Sequence, residues 1–379
     1  MIQAQEIKPS RLEKFGVYYL NLFNRIDSTH NVFDLTDAEL RQRVNRISRK
    51  GIILSSLVGI ACVFPTVWVD VYFTNSSFAV HYGWVAGVTL VSVLIEFYVL
   101  FLIALKAVHE VSALINLHAT NSELEQGSLF SVTNILARAA LELPDPEFKI
   151  LGIDPFARVP KKNLFILGLL YKAKIFVTNF IFKYGLKAVA GSPVWGIPVL
   201  YEALPVEAFW NSVVIERVVH EARLRLFGFA LAHQISKNVL HDHILEQLSP
   251  EARIGCLRAV GNAVVMAQNY HPNMIILLLR FRDLLQVNEE HQYDDWDLFL
   301  DTLNKVTQKE RLFLLDLFTL SAAFDGRLSR LVKANLKTAY GDEYDVYYPR
   351  LVSLTEYLKK GQLNAALALC SFDSMSAGA

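Results

Sequence analysis

The sequence predicts an all-α membrane protein. It is read as a transmembrane helical hairpin, a membrane-associated amphipathic helix and a cytoplasmic helical-bundle domain. Three observations carry that prediction. Two apolar runs, residues 51–73 and 84–105, are each long enough to cross ~30 Å of hydrocarbon at ~1.5 Å per residue. Basic residues crowd the approach to the first run and are absent from the loop between the two. After residue 205 the chain reads as amphipathic helices punctuated by caps, prolines and glycines.

Residues 1–50 are expected to form cytoplasmic amphipathic helices. In the first, over residues 10–34, Ser10 and Glu13 are spaced as a capping box, and Phe15, Tyr18, Tyr19, Leu22 and Phe23 share one face. That aromatic face has two readings, packing on the protein's own helices or lying on the bilayer. A second capping box, Thr36 to Glu39, opens a helix bearing Arg41, Arg43, Arg46, Arg49 and Lys50. With no cleavable hydrophobic leader in the first ten residues, the first apolar run is expected to act as an uncleaved signal-anchor.

Residues 51–106 form the predicted hairpin. The positive-inside rule places both termini in the cytoplasm and the loop at 74–83 outside. Pro65 removes a backbone donor and predicts a kink in the outer half of the first span. Asp70 falls near the outer interface. Glu96 sits mid-way along the second run, where an isolated carboxylate costs on the order of 2.5–3.5 kcal/mol on insertion scales. It therefore reads as either a helix-joining acid or a group lining an ion path. Gly51, Ser55, Gly59, Gly83 and Gly87 give both spans small-residue faces that allow close approach and self-association into a homo-oligomer.

Residues 107–205 read as cytoplasmic linker helices followed by an interfacial or embedded segment. Lys161, Lys172 and Lys183 fall on one stripe of a greasy helix with Lys187 close by, so these lysines are candidate lipid-headgroup contacts. Were the segment to span instead, Lys172 would reach the depth of Glu96. Gly191, Pro193, Gly196 and Pro198 then interrupt any regular helix, as in a re-entrant or surface-lying loop.

Residues 206–370 read as a helical domain that offers protein partners a surface. Expected helices cover residues 205–248, 250–269, 273–287, 294–306, 310–324, 329–341 and 348–370, with residues 371–379 a disordered tail. Within it, Leu320-Ser321-Ala322-Ala323-Phe324-Asp325-Gly326-Arg327-Leu328 resembles the helix–Asp-Gly–helix signature of TerB-like (tellurite-resistance-type) domains. The resemblance covers about thirty residues, 311–340. It implies a small helical bundle over roughly 249–370 on a bacterial inner-membrane protein. Family members usually carry an acidic residue early in the second helix. Here Val332 occupies that region between Arg330 and Lys333, so only Asp325 and Gly326 carry over, as a tight turn.

The formal net charge is zero, which argues against a nucleic-acid partner. The three cysteines form no CxxC pair. Glu216 and His220 share a helix face with Glu221 nearby, but the Glu-x-x-His spacing of a di-metal bundle is missing. His241-Asp242-His243 points two imidazoles in different directions, and His109-Glu110 begins no metalloprotease motif. No phosphate loop, dinucleotide fingerprint or nucleophile elbow occurs. The expectation is a non-enzymatic scaffold or assembly subunit in the lipid bilayer, with no metal or cofactor. The alternative is an oligomeric channel or transporter with Glu96 in the conduction path.

Overall fold

The computed structural model describes residues 11–23, 34–114, 137–138, 151–154, 203–238, 245–268, 271–285, 292–370 and 372. Among these residues every regular element is helical. The helices are α1 (Arg11–Phe23), α2 (Asp37–Tyr72), α3 (Phe78–Ala113), α4 (Ala203–Asn238), α5 (Pro250–Ala267) and α6 (Pro272–Leu285). They continue with α7 (Trp296–Lys305), α8 (Gln308–Ala323), α9 (Arg330–Tyr340), α10 (Tyr344–Lys360) and α11 (Leu363–Ala368). A 3-10 turn, Gly341–Glu343, joins α9 to α10.

The Thr36 capping box forms as its spacing predicts. Its hydroxyl accepts from the Glu39 amide at 3.3 Å, and the Glu39 carboxylate accepts from the Thr36 amide at 2.9 Å. From there α2 runs without a break to Tyr72, through Pro65. The loop expected at 74–83 is shorter than its composition indicates, because α3 already starts at Phe78. Both helices are long and apolar enough to cross a membrane. They are antiparallel, with Lys50 bridged to Glu110 at 3.3 Å near one end and Asp70 to His81 at 3.1 Å near the other. The Thr89 and Thr66 hydroxyls meet between these bridges, 3.4 Å apart. Ile53, Leu57, Phe64 and Trp68 of α2, and Leu90, Leu94 and Phe97 of α3, stay exposed. A contiguous apolar face of this size is foreign to a water-facing monomer surface.

Helix α1 lies on α3. The Tyr19 and Tyr98 hydroxyls are 2.9 Å apart, and the Phe15 ring sits 6.2 Å from that of Tyr98. Part of the aromatic face of α1 is thus spent on the protein's own hairpin.

Helix α4 is continuous from Ala203 to Asn238, and its two halves have different surroundings. The first half packs antiparallel against the apolar part of α2. A Cβ on Gly51 would lie 2.8 Å from Ile215, and one on Gly59 would lie 2.6 Å from the Asn211 amide nitrogen. The second half is buried in the helical domain through Leu226, Phe227, Phe229 and Leu231.

That domain is organised around α8, which is buried nearly all round, as a core helix must be. Trp296, Phe299 and Phe318 cluster with ring centroids 5.6–5.7 Å apart. Helix starts are capped where the sequence places Ser249, Asp295, Thr307 and Ser329. The buried Asp316 carboxylate is ion-paired with Arg350, which also donates to the Leu369 carbonyl at 2.8 Å. One expectation needs correction. The helix expected over 348–370 begins at Tyr344 and is two helices, broken at Gly361, whose φ of 70° is the left-handed conformation that ends α10. Phe372, the one described residue of the 371–379 tail, is buried with its ring 5.3 Å from Phe313. The start of α2 is tied to this domain: the Asp37 carboxylate accepts from the Asn364 and Ala365 amides at 2.9 and 3.1 Å.

Candidate functional site: a polar junction between the apolar helices

Glu96 is 6 % exposed and faces inward, towards α2 and α4. Its carboxylate accepts from the Asn211 side-chain amide at 2.8 Å, and the same nitrogen lies 3.4 Å from the Ser55 carbonyl oxygen. A charge-assisted bond of this kind compensates part of the cost of taking a carboxylate out of water. Room for Asn211 comes from Gly59, whose missing side chain leaves the space its amide fills. One turn further along α2 from Gly51, the Ser56 hydroxyl is 2.7 Å from that of Ser212 and 3.3 Å from the Ala208 carbonyl. Glu207, one turn before Asn211, is buried with its backbone against Gly59.

The register fixes the depth of this junction. Thr66 meets Thr89, so residues seven places further towards the Lys50 end bring Gly59 level with Glu96. Twenty residues, ~30 Å of helix, separate Lys50 from Asp70, and Gly59 lies near the middle. On α4, Ile215 is level with Gly51, so Arg217 is level with Arg49 and Ala203 lies beyond Gly59. Between Ala203 and Ile215 the one ionisable side chain is Glu207.

The small-residue faces expected to drive self-association have separate fates. Gly51, Ser55 and Gly59 are used within the chain, by α4. Gly83 and Gly87 have no neighbour within 4 Å among the described residues. Asp70 does sit at the far end of the hairpin, held by His81, whose other ring nitrogen lies 2.9 Å from the Phe73 carbonyl. Lys161, Lys172, Lys183 and Lys187 lie outside the described residues, as do His241, Asp242 and His243.

The remaining candidates resolve into local structure. Arg223 donates to the His220 ring at 2.9 Å, and burial together with that guanidinium holds the His220 pKa below its ordinary value. Burial raises the Glu221 carboxyl, but Arg225 at 2.7 Å and neighbouring positive groups leave it below the usual range. Glu110 is bridged to Lys50, and His109 is buried beside it. Among the described residues no three His, Cys, Asp or Glu side chains are grouped to hold a metal. Cys256 and Cys370 are buried free thiols, and burial pushes Cys370 up to about 12. Asp325 and Gly326 form the expected turn. The Asp325 carboxylate accepts from the Arg327 amide at 2.8 Å, and Gly326 has φ 66° beside Leu224. Asn211 was not singled out from sequence. An asparagine four residues after a glutamate in an apolar stretch, Glu207 to Asn211, was the available signal.

No family model matches the chain, and comparison with curated proteins and with solved structures finds no relative.

Proposed function

We propose that this chain is an integral membrane protein whose cytoplasmic helical domain is held rigidly to its anchor, and that it serves as a non-enzymatic scaffold or assembly subunit. The single observation that carries this reading is the hydrogen bond from Asn211 to Glu96. It engages the intramembrane carboxylate within the chain, at a joint between the anchor and the helix leading into the domain. The exposed apolar belt of α2 and α3 supports bilayer insertion, and the basic residues before residue 51 support a cytoplasmic N-terminus. On this reading the inner membrane of a bacterium is the setting, the TerB-like resemblance describes the later part of the domain, and its surface meets a protein partner. The open Gly83–Gly87 face supports a homo-oligomer.

The test compares Glu96→Gln with Glu96→Ala in detergent and in proteoliposomes. The glutamine keeps an acceptor for Asn211, so assembly and thermal midpoint stay close to wild type. The alanine strands the Asn211 amide and costs about 1–3 kcal/mol. Cation flux through wild-type proteoliposomes that disappears in Glu96→Gln would replace the scaffold with the channel reading.

A further inference from the structure

The cytoplasmic stretch of α2 carries a cleft that the polar junction does not use. It measures about 610 Å³ and is lined on α2 by Arg41, Gln42, Asn45, Arg46 and Arg49, with Asp37 and Ala38 before them, and by Gln362 of the helical domain. Successive residues turn by 100°, so these five α2 side chains share one broad face, and Arg41 to Arg49 rise ~12 Å along it. Among the described residues none of the three guanidiniums is ion-paired. Asp37, at the cleft's edge, is already engaged by the Asn364 and Ala365 amides. Arg41 adds to a positive field that reaches Arg223 across the helix contact, helping burial to lower the Arg223 pKa. Three guanidiniums line this cleft against the single carboxylate of Asp37, so its lining is positive in excess. That chemistry selects a phosphate.

The position of the cleft selects the source of that phosphate. Arg49 is one residue from Lys50, where the apolar run begins. Continuing up the same face, at the angles of Arg46 and Arg49, are Ile53, Leu57 and Ile60, all exposed. A ligand with an anionic head and long apolar tails would place its head between the arginines and its tails along these residues. We propose that the cleft binds the phosphate headgroup of an anionic phospholipid, contacted by Arg41, Arg46 and Arg49, and that Gln362 couples its occupancy to the helical domain. The inference rests on the membrane reading above.

The experiment uses the full chain, delipidated in neutral detergent and analysed by native mass spectrometry. Phosphatidylglycerol, phosphatidylcholine and the soluble head sn-glycerol-1-phosphate are added at equal concentration. Wild type is expected to retain phosphatidylglycerol at least fivefold over phosphatidylcholine. The Arg46→Gln/Arg49→Gln variant, which keeps Arg41, Arg43 and Lys50 for topology, is expected to lose that preference. An Arg43→Gln/Arg217→Gln control removes the same charge outside the cleft and is expected to keep it. Equal loss in both variants would reduce the effect to diffuse surface charge and overturn the site. Displacement of phosphatidylglycerol by sn-glycerol-1-phosphate at equal concentration would overturn the lipid assignment in favour of a soluble phosphate. Equal lipid-free thermal midpoints in all three proteins establish that the variants are folded. Extraction of wild-type membranes with alkaline carbonate tests membrane insertion separately from headgroup binding. Release of the protein defeats the membrane reading itself. Retention without phosphatidylglycerol preference defeats the cleft alone.

Discussion

At the scale of single residues, two positions show how a side chain's presence or absence sets local energetics. Burial pushes the Asp325 carboxyl up to about 6, against the Arg327 amide and the charges of Arg327 and Lys359. The unfolded value is ~3.9. A carboxyl raised in the folded state favours folding while protonated. Stability is therefore lost as pH rises from about 4 to about 6, and the full cost is in place above that. Asp325→Asn retains the oxygen that accepts from Arg327 and never ionises. It should melt with wild type near pH 4 and be more stable near pH 7.5, by on the order of 2–3 kcal/mol. A variant that melts below wild type at both pH values would refute the burial argument. Gly59 is the second case. Gly59→Ala drives a methyl to within 2.6 Å of Asn211 and 3.1 Å of the Glu207 backbone, whereas Gly83→Ala meets open space. We expect the first to cost about 1–3 kcal/mol and the second almost nothing, read as thermal midpoints in detergent. The Asp325-Gly326 turn was legible in sequence because both residues act locally. The partner of Glu96 was not, because Asn211 is brought to it by a tertiary contact across 115 positions.

At the scale of elements, legibility tracks how uniform each helix is along its length. Helices α2 and α3 announce themselves by sustained apolar runs, and α5 and α9 by Ser249 and Ser329 at their starts, whereas the caps Asp295 and Thr307 of α7 and α8 appear only in the fold. The division of α10 from α11 was missed because a single glycine, Gly361, was read as interior to a helix. The first half of α4 carries Glu207, Asn211 and Ser212, which dilute its hydropathy and make it read with the soluble domain. In the fold Asn211 and Ser212 hydrogen-bond to Glu96 of α3 and Ser56 of α2. The same division applies to the glycines of the hairpin. The α2 face is filled by α4, and a Cβ at Gly83 or Gly87 on α3 would meet nothing within 4 Å among the described residues. Gly87→Leu should therefore shift the oligomer distribution in detergent towards smaller species while leaving the thermal midpoint unchanged. Mass photometry reads this directly, and an unchanged distribution would remove Gly87 from the self-association surface.

At the scale of the whole molecule, α4 joins the apolar helices α2 and α3 to the helical domain. Asp37 ties the base of α2 to α11, and Asn211 ties α4 to α2 and α3 higher up. The hairpin predicted from sequence is thus the outer part of a three-helix unit. This arrangement has a measurable consequence for depth. Ile215 lies level with Gly51, where the apolar run of α2 begins, and Arg217 with Arg49, two residues before it. Phe209 is two turns closer to the far end, 61 % exposed, and projects from α4 among the exposed apolar residues of the spans. If the hairpin crosses the bilayer, Phe209 must touch acyl chains at the depth of Ser56 to Ile60, while Arg217 sits among headgroups. Spin labels at Phe209→Cys, Ile60→Cys and Arg217→Cys in bicelles, read by oxygen against aqueous nickel accessibility, make the comparison. The cysteine at 62 is first replaced by serine. We expect Phe209 to match Ile60 in favouring oxygen, and Arg217 to favour nickel. A Phe209 label that favours nickel as strongly as Arg217 would put α4 in water along its whole length. The polar junction would then be a surface contact, and the packing of Gly51 and Gly59 against α4 would have to arise outside the membrane.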